Sequence, residues 1–218
     1  MTISVNGVTL YYERNGSGDP LIMMHGNGET HDIFDNAVSL LSENFTVYTV
    51  DTRGHGHSSA VAQYHYADMA KDMHCFIEAL GLITPVFYGF SDGGIVGLLL
   101  ASQYPKLLSQ LIVSGANLRP NGVRAGILRK TRANYRETAD PKLKVMLEEP
   151  VITADMLRNI SVPTTVLAGG FDVIKLRHTR EIASEIEHST LRILPLHGHG
   201  SYIVHSKKIA KLILQSVK

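Results

Sequence analysis

The sequence predicts an α/β protein: a mostly parallel, twisted sheet with helices on both faces and an antiparallel hairpin at its start. Three observations carry that prediction. Short apolar runs of strand length recur along the chain, segments with helical apolar spacing lie between them, and the first apolar segment alternates around Asn6-Gly7.

Ile3, Val5, Val8, Leu10 and Tyr12 form that first alternation. Broken by Asn-Gly, it predicts a hairpin over residues 2–5 and 8–14. Gly16-Ser17-Gly18-Asp19-Pro20 is a turn cluster, and Leu21-Ile22-Met23-Met24 follows it. A continuous apolar run between turn signals suits a strand buried on both faces, as in a parallel sheet. Runs of the same kind return at 45–50, 85–88, 110–114 and 164–168, with 191–194 as the last. Helical spacing marks about 31–42, 66–80, 93–104, 178–187 and 203–216. Such alternation implies right-handed crossovers. From 117 to about 160 there is no strand candidate, and Pro120, Gly122, Pro141 and Pro150 punctuate the stretch. A structureless loop of that length is rare in a compact domain. The expectation is one domain over 1–218 with a small helical cap inserted at about 117–160, above the strand ends.

Composition narrows the function. The 218 residues include 21 basic and 20 acidic side chains, a net charge of +1. A nucleic-acid binder usually shows a strong basic excess, so no nucleic-acid partner is expected. The single cysteine, Cys75, lies in a segment with helical spacing and offers no disulfide framework. The first residues lack a basic region followed by an apolar run. No apolar stretch approaches the roughly 20 residues that span a bilayer. A cytoplasmic protein without a membrane span is expected, its oligomeric state open.

The chemistry starts at Val86-Phe87-Tyr88-Gly89-Phe90-Ser91-Asp92-Gly93-Gly94. An apolar strand runs into Gly-x-Ser-x-Gly, and a small-residue helix follows. A serine on a tight strand-to-helix turn needs glycine two residues to each side, because side chains there would clash. The helix that follows points free backbone N–H groups at the site, where they can stabilise negative charge. Ser91 is therefore the candidate nucleophile. It needs a base and an orienting acid. Asp172 follows the strand 164–168 in Gly169-Gly170-Phe171-Asp172, on the sheet edge that carries Ser91. His197 and His199 both follow the last strand, in Pro195-Leu196-His197-Gly198-His199-Gly200. Asp51 and Asp140 are rival acids, and His197 is the rival base. Two backbone donors are expected to hold an oxyanion: Asp92, next to the nucleophile, and Asn27, in Met24-His25-Gly26-Asn27-Gly28. His25 has the expected role of bracing that loop. The pairs His55-Gly56-His57 and His197-Gly198-His199 have no carboxylate or cysteine at ligand spacing, so no metal is expected. No dinucleotide fingerprint follows the first parallel strand, and no cofactor is expected.

Five of these stretches, in order, carry a resemblance. His25-Gly26, Asp51-Thr52-Arg53-Gly54-His55-Gly56-His57-Ser58, Gly89-Phe90-Ser91-Asp92-Gly93-Gly94, Gly169-Gly170-Phe171-Asp172 and Gly198-His199 resemble the successive signatures of the α/β-hydrolase superfamily. The chain looks most like its small bacterial esterase and C–C or lactone hydrolase-like members. The resemblance implies the α/β-hydrolase fold and a triad of Ser91, Asp172 and His199, favouring His199 over His197. It does not fix the substrate, because the superfamily also includes thioesterases, perhydrolases, dehalogenases and lyases. Serine as nucleophile argues against a dehalogenase or epoxide hydrolase. The chain has no tryptophan, so a halide-holding tryptophan pair is absent. The expected activity is hydrolysis of small carboxylic esters, lactones or thioesters through an acyl-enzyme on Ser91. A C–C hydrolase or cofactor-free perhydrolase with the same triad is the alternative, and a non-catalytic binding module a third. Arg119, Arg124, Arg129, Lys130, Arg132 and Arg136 lie in a stretch without an acidic residue. They form either a solvated helix face or a patch that steers anionic substrates.

Overall fold

The computed structural model describes residues 1–217. Strands β1 (Thr2–Val5) and β2 (Val8–Asn15) pair antiparallel, with Val5 opposite Val8. Asn6 and Gly7 take φ values of 45° and 78°, the left-handed pair that a two-residue hairpin turn requires. The other strands are β3 (Asp19–Met24), β4 (Phe45–Val50), β5 (Val86–Phe90), β6 (Gln110–Ser114), β7 (Thr164–Phe171) and β8 (Ser189–Gly198). One sheet results, in the order β1-β2-β4-β3-β5-β6-β7-β8. β2 meets β4 antiparallel, and every pairing from β4 to β8 is parallel.

The helices are α1 (Asp35–Leu41), α2 (Tyr66–Ala79), α3 (Asp92–Gln103), α4 (Ala125–Thr138), α5 (Pro141–Glu148), α6 (Ala154–Arg158), α7 (Leu176–Glu185) and α8 (Lys207–Ser216). Alternate strand residues feed two cores, as the pleat dictates. Ile22, Phe87, Leu111 and Val166 pack with Met73 and Phe76 of α2, Leu98 of α3 and Ile182 of α7. Met23, Tyr88, Ile112 and Leu167 pack with Ala37 and Leu41 of α1 and Ile209 and Ile213 of α8. Burying one such large side chain contributes roughly 1.5–3 kcal/mol. Among the described residues no helix is long and apolar enough to cross a membrane.

Three elements differ from expectation. The segment expected as one helix over 31–42 is a 3₁₀ turn, His31–Phe34, followed by the short α1. The last strand is not 191–194 but Ser189–Gly198. It gains length by following β7 up to the pair Phe171–Gly198, and it lies at the sheet edge, where Pro195 is tolerated. The last helix starts at Lys207 rather than 203, because Ser206 caps it: its hydroxyl accepts from Lys208 N–H at 3.2 Å. Ile203, where the helix was expected to begin, is fully buried with Tyr202 in the turn before it.

Between β6 and β7 the chain forms α4, α5 and α6. In α4 Thr131 is the buried residue, and Arg129, Lys130, Arg132 and Arg136 are all exposed. Arg119 pairs with Glu181 at 2.8 Å, and Arg124 Nε donates to the Asp172 carbonyl at 2.6 Å. The basic run is therefore a solvated face with two anchoring arginines. Ile152, Leu157 and Ile160, at the end of this interval, sink into the first core beside α3.

Candidate active site

β5 ends at Phe90 and α3 begins at Asp92, so Ser91 alone makes the turn. Its φ is 53° and its ψ −112°, a strained backbone for a residue with a Cβ. The strain is held from both sides: Ser91 N–H donates to Ser114 O at 2.8 Å, and Gly93 N–H to His25 O at 3.1 Å. A Cβ on Gly89 would overlap the Gly93 carbonyl and the Gly94 nitrogen, and one on Gly93 would overlap the Met24 carbonyl. These are backbone atoms that cannot step aside. Gly89→Ala is expected to lose more than about 3 kcal/mol of stability or fail to fold, read by urea unfolding. A variant of wild-type stability would contradict this account of the turn.

His199 Nε2 lies 3.1 Å from Ser91 Oγ, and His199 Nδ1 lies 2.7 Å from Asp172 Oδ1. Asp172 is fully buried at the end of β7. Ile174 N–H donates to Oδ1 at 2.8 Å and Gly169 N–H to Oδ2 at 3.4 Å, which fixes the carboxylate's plane. An ionised carboxylate beside Nδ1 makes Nδ1 the protonated nitrogen and leaves Nε2 to accept from the serine. The ring packs on Phe90, 4.8 Å between centroids. Gly115, at the end of β6 with φ 62°, lets it sit there: a Cβ would fall 2.7 Å from His199 Cε1.

The rivals have other partners. His197 lies 3.1 Å from Ser201 Oγ and accepts from Lys208 Nζ at 2.6 Å. Asp140 caps α5 by accepting from Lys142 N–H. Asp51 accepts from the backbone N–H groups of His31 and His57. Arg53 forms a two-bond pair with Asp72, 2.6 Å for each bond.

Asn27 and Asp92 flank the serine, and neither backbone N–H has an acceptor among the described residues. The Asn27 amide ties the two segments together, donating to Asp92 Oδ2 at 2.9 Å and to the Lys142 carbonyl of α5 at 3.0 Å. His25 holds the loop from behind: Nδ1 is 2.7 Å from Gly26 O, and Nε2 accepts from Thr52 N–H at 3.1 Å. His55 does the same for Gly28, whose N–H reaches its Nε2 at 3.1 Å. Glu29 accepts from Gly26 N–H at 3.0 Å, and burial raises its pKa.

Burial moves two of these groups in opposite directions. His25 is lowered from 6.5 to about 4, because burial disfavours its cation. Asp92 is raised from 3.8 to about 6, because burial disfavours its anion and outweighs the Asn27 and Tyr66 hydrogen bonds. As pH falls below 6.5 the unfolded chain protonates His25 first, which weakens the fold. As pH falls below about 6 the folded chain protonates Asp92 first, which strengthens it. The trends offset each other. Asp92→Asn removes the second one. It is expected to exceed wild-type stability at pH 7, on the order of 2 kcal/mol, and to lose that advantage toward pH 4. Urea midpoints across this range check it; a gap that stays constant with pH would contradict the assignment.

The pocket at Ser91 is narrow, about 40 Å³, and Tyr66, Asp92, Ile127, Met146, Glu149 and His199 are among its walls. A water needs roughly 10–15 Å³ on this scale, so only a small group fits without movement. A larger hollow of about 620 Å³ opens at the other end of the strands, lined by Asp19, Pro20, Thr164 and His188, and holds none of the reactive groups. Gly115 and Tyr66 went unmarked in the sequence, and the role of His55 in holding Gly28 was not read from it. A glycine directly after the run 110–114 is the signal that could have found the first.

Comparison with known proteins agrees with this architecture. A family model described as alpha/beta hydrolase fold matches residues 19–143. The human serine hydrolase BPHL is 37% identical over 123 residues, which are 53% of this chain and 42% of that protein. The chain thus matches less than half the length of that relative. Among solved structures, an esterase from Exiguobacterium antarcticum superposes with a TM-score of 0.84 at 23% identity, covering 98% of this chain and 97% of that one. A meta-cleavage product hydrolase from Pseudomonas fluorescens IP01 gives 0.82 at 17% identity, covering 99% and 96%.

Proposed function

The chain belongs to the alpha/beta hydrolase fold family, and from that membership we propose that it is a serine hydrolase cleaving small carboxylic esters through an acyl-enzyme on Ser91. The observation that carries the proposal is the hydrogen-bond chain from Ser91 Oγ through His199 to Asp172, 3.1 and 2.7 Å long. Both distances lie within reach of direct proton transfer.

In this mechanism Ser91 Oγ attacks the ester carbonyl while His199 Nε2 takes its proton. Asp172 keeps the ring oriented and stabilises the imidazolium. The N–H groups of Asn27 and Asp92 receive the oxyanion, and one such donor is worth about 10²–10³ in rate. The tetrahedral species collapses, the ester C–O bond breaks, and the departing alcohol takes the proton from His199. Water then attacks the acyl-enzyme with His199 again as base, releasing the carboxylic acid and restoring Ser91. An imidazole accepts a proton only when neutral, so activity rises with pH on the acid side.

The narrow pocket sets the acyl preference. Across p-nitrophenyl esters from acetate to decanoate, kcat/KM is expected to peak at acetate to butyrate and to fall at least about tenfold by decanoate. A peak at long chains would overturn the small-substrate reading. A vinylogous diketone cleaved faster than every ester would favour C–C hydrolysis by the same residues.

A further inference from the structure

Away from the pocket, two loops bring together a second group of ligating side chains: His31, after β3, and Asp51 and His57, six residues apart in the connection between β4 and α2. Their donor atoms all lie within 4.8 Å of one another. We propose that His31, Asp51 and His57 bind a divalent transition-metal cation of the zinc class, with solvent completing the coordination.

The spacing suits such an ion. Zinc bonds of about 2.0–2.2 Å to nitrogen and oxygen place neighbouring donors of a tetrahedron roughly 3.3–3.5 Å apart. Here His31 Nδ1 is 2.8 Å from Asp51 Oδ1, and His57 Nδ1 is 3.5 Å from Asp51 Oδ2. All three donors lie within 4.8 Å of one another, so the exposed His57 side chain closes the site by swinging in, on the order of an ångström.

The surroundings of His31 are those of a metal ligand. A ligating imidazole gives its second N–H to a carboxylate, which fixes tautomer and ring. Carboxylate oxygens of Glu13 and Asp32 lie at ion-pair distance from His31 Nε2, 3.5 and 3.4 Å, and the ring's hydrogen bond runs from Nδ1 to Asp51 Oδ1 at 2.8 Å. The Tyr11 ring packs on both imidazoles, at 5.1 and 4.7 Å. Asp51 is fully buried, yet the N–H groups of His57 and His31 hold its carboxyl in place at 2.9 and 2.8 Å. Three carboxylates thus surround two imidazoles, a charge balance that favours a dication. His31 is 6% exposed and His57 69%, so two ligands are preformed and the third stands at the mouth, free to swing onto the ion.

Binding replaces the His31 Nδ1–Asp51 hydrogen bond, and a proton held on Nδ1 leaves to solvent as the ion takes its place. The ion would join the segment carrying Asn27, four residues before His31, to the loop that carries His55. This site does not depend on the hydrolase mechanism and is tested apart from it.

The test is calorimetric titration of the whole, chelator-treated chain with zinc chloride, with thermal unfolding and cobalt(II) absorption alongside. One equivalent is expected to bind wild type, to raise its Tm, and to give cobalt the intense visible bands of a four-coordinate ion. His57→Ala, altered only at an exposed tip, is expected to weaken binding at least about tenfold and to lose the Tm shift. His31→Gln is expected to do the same, and His197→Ala to bind as wild type. No saturable binding to wild type, or binding kept in His57→Ala and lost in His197→Ala, would overturn the proposal.

Discussion

Ser91→Ala is expected to lower kcat/KM for p-nitrophenyl acetate by about 10⁴-fold or more. The variant keeps the turn: alanine accepts the same backbone, and the N–H bonds from Ser91 to Ser114 O and from Gly93 to His25 O are untouched. What it loses is the Oγ that sits 3.1 Å from His199 Nε2, the atom proposed to attack the carbonyl carbon. The oxyanion donors and pocket walls remain, so a residual rate above that of water alone is expected. Circular dichroism and urea unfolding should match wild type within about 0.5 kcal/mol. A fold intact and a rate reduced only severalfold would remove Ser91 from the chemistry.

Asp172→Asn is expected to cost about 10³–10⁴ in kcat with little change in KM. An asparagine has one oxygen and one NH₂, and the two faces of Asp172 both meet donors. Ile174 N–H and His199 Nδ1 approach Oδ1, and Gly169 N–H approaches Oδ2. If the NH₂ turns toward His199, Nδ1 must accept, and the ring proton moves to Nε2, where it faces Ser91 instead of receiving from it. If it turns toward Gly169, two donors collide in a fully buried place. The first arrangement mis-sets the base; the second keeps the tautomer but removes the negative charge that stabilises the imidazolium, and in both the substrate pocket is unaltered. Steady-state kinetics separates the outcomes: a loss confined to KM would mean that Asp172 shapes binding rather than the base.

Much of this site was legible in the sequence, for a reason that lies in the sheet. A parallel sheet delivers the ends of its strands to one edge, so residues just after three apolar runs meet there whatever their separation along the chain. That logic brings Ser91, Asp172 and His199 together. It cannot choose between His197 and His199, two residues apart. The register does: Gly198 pairs with Phe171, so His197 lies within β8, while His199 lies past the last pair and can turn inward. Contacts that depend on loop paths left no trace. Gly115 matters because of the His199 ring, His55 because of the Gly28 N–H, and His31 because it approaches Asp51 and His57 across 20 and 26 positions. Pairing neighbours along the chain gave no ground to expect a metal; the cluster behind the proposed site forms only because the fold brings His31 to Asp51 and His57. The turn before α8 escaped for a different reason: Ile203 continues the helical apolar spacing but is buried with Tyr202 in the second core, and only Ser206 caps the helix.

The most direct test of the account is covalent. Wild type and Ser91→Ala, incubated with a fluorophosphonate probe, are followed by intact mass, peptide mapping and residual hydrolysis of p-nitrophenyl acetate. The account predicts one adduct, on Ser91, formed in step with the loss of activity, and none in the variant. A wild type that hydrolyses the ester yet carries its adduct on another residue, or stays active with Ser91 fully labelled, would contradict it.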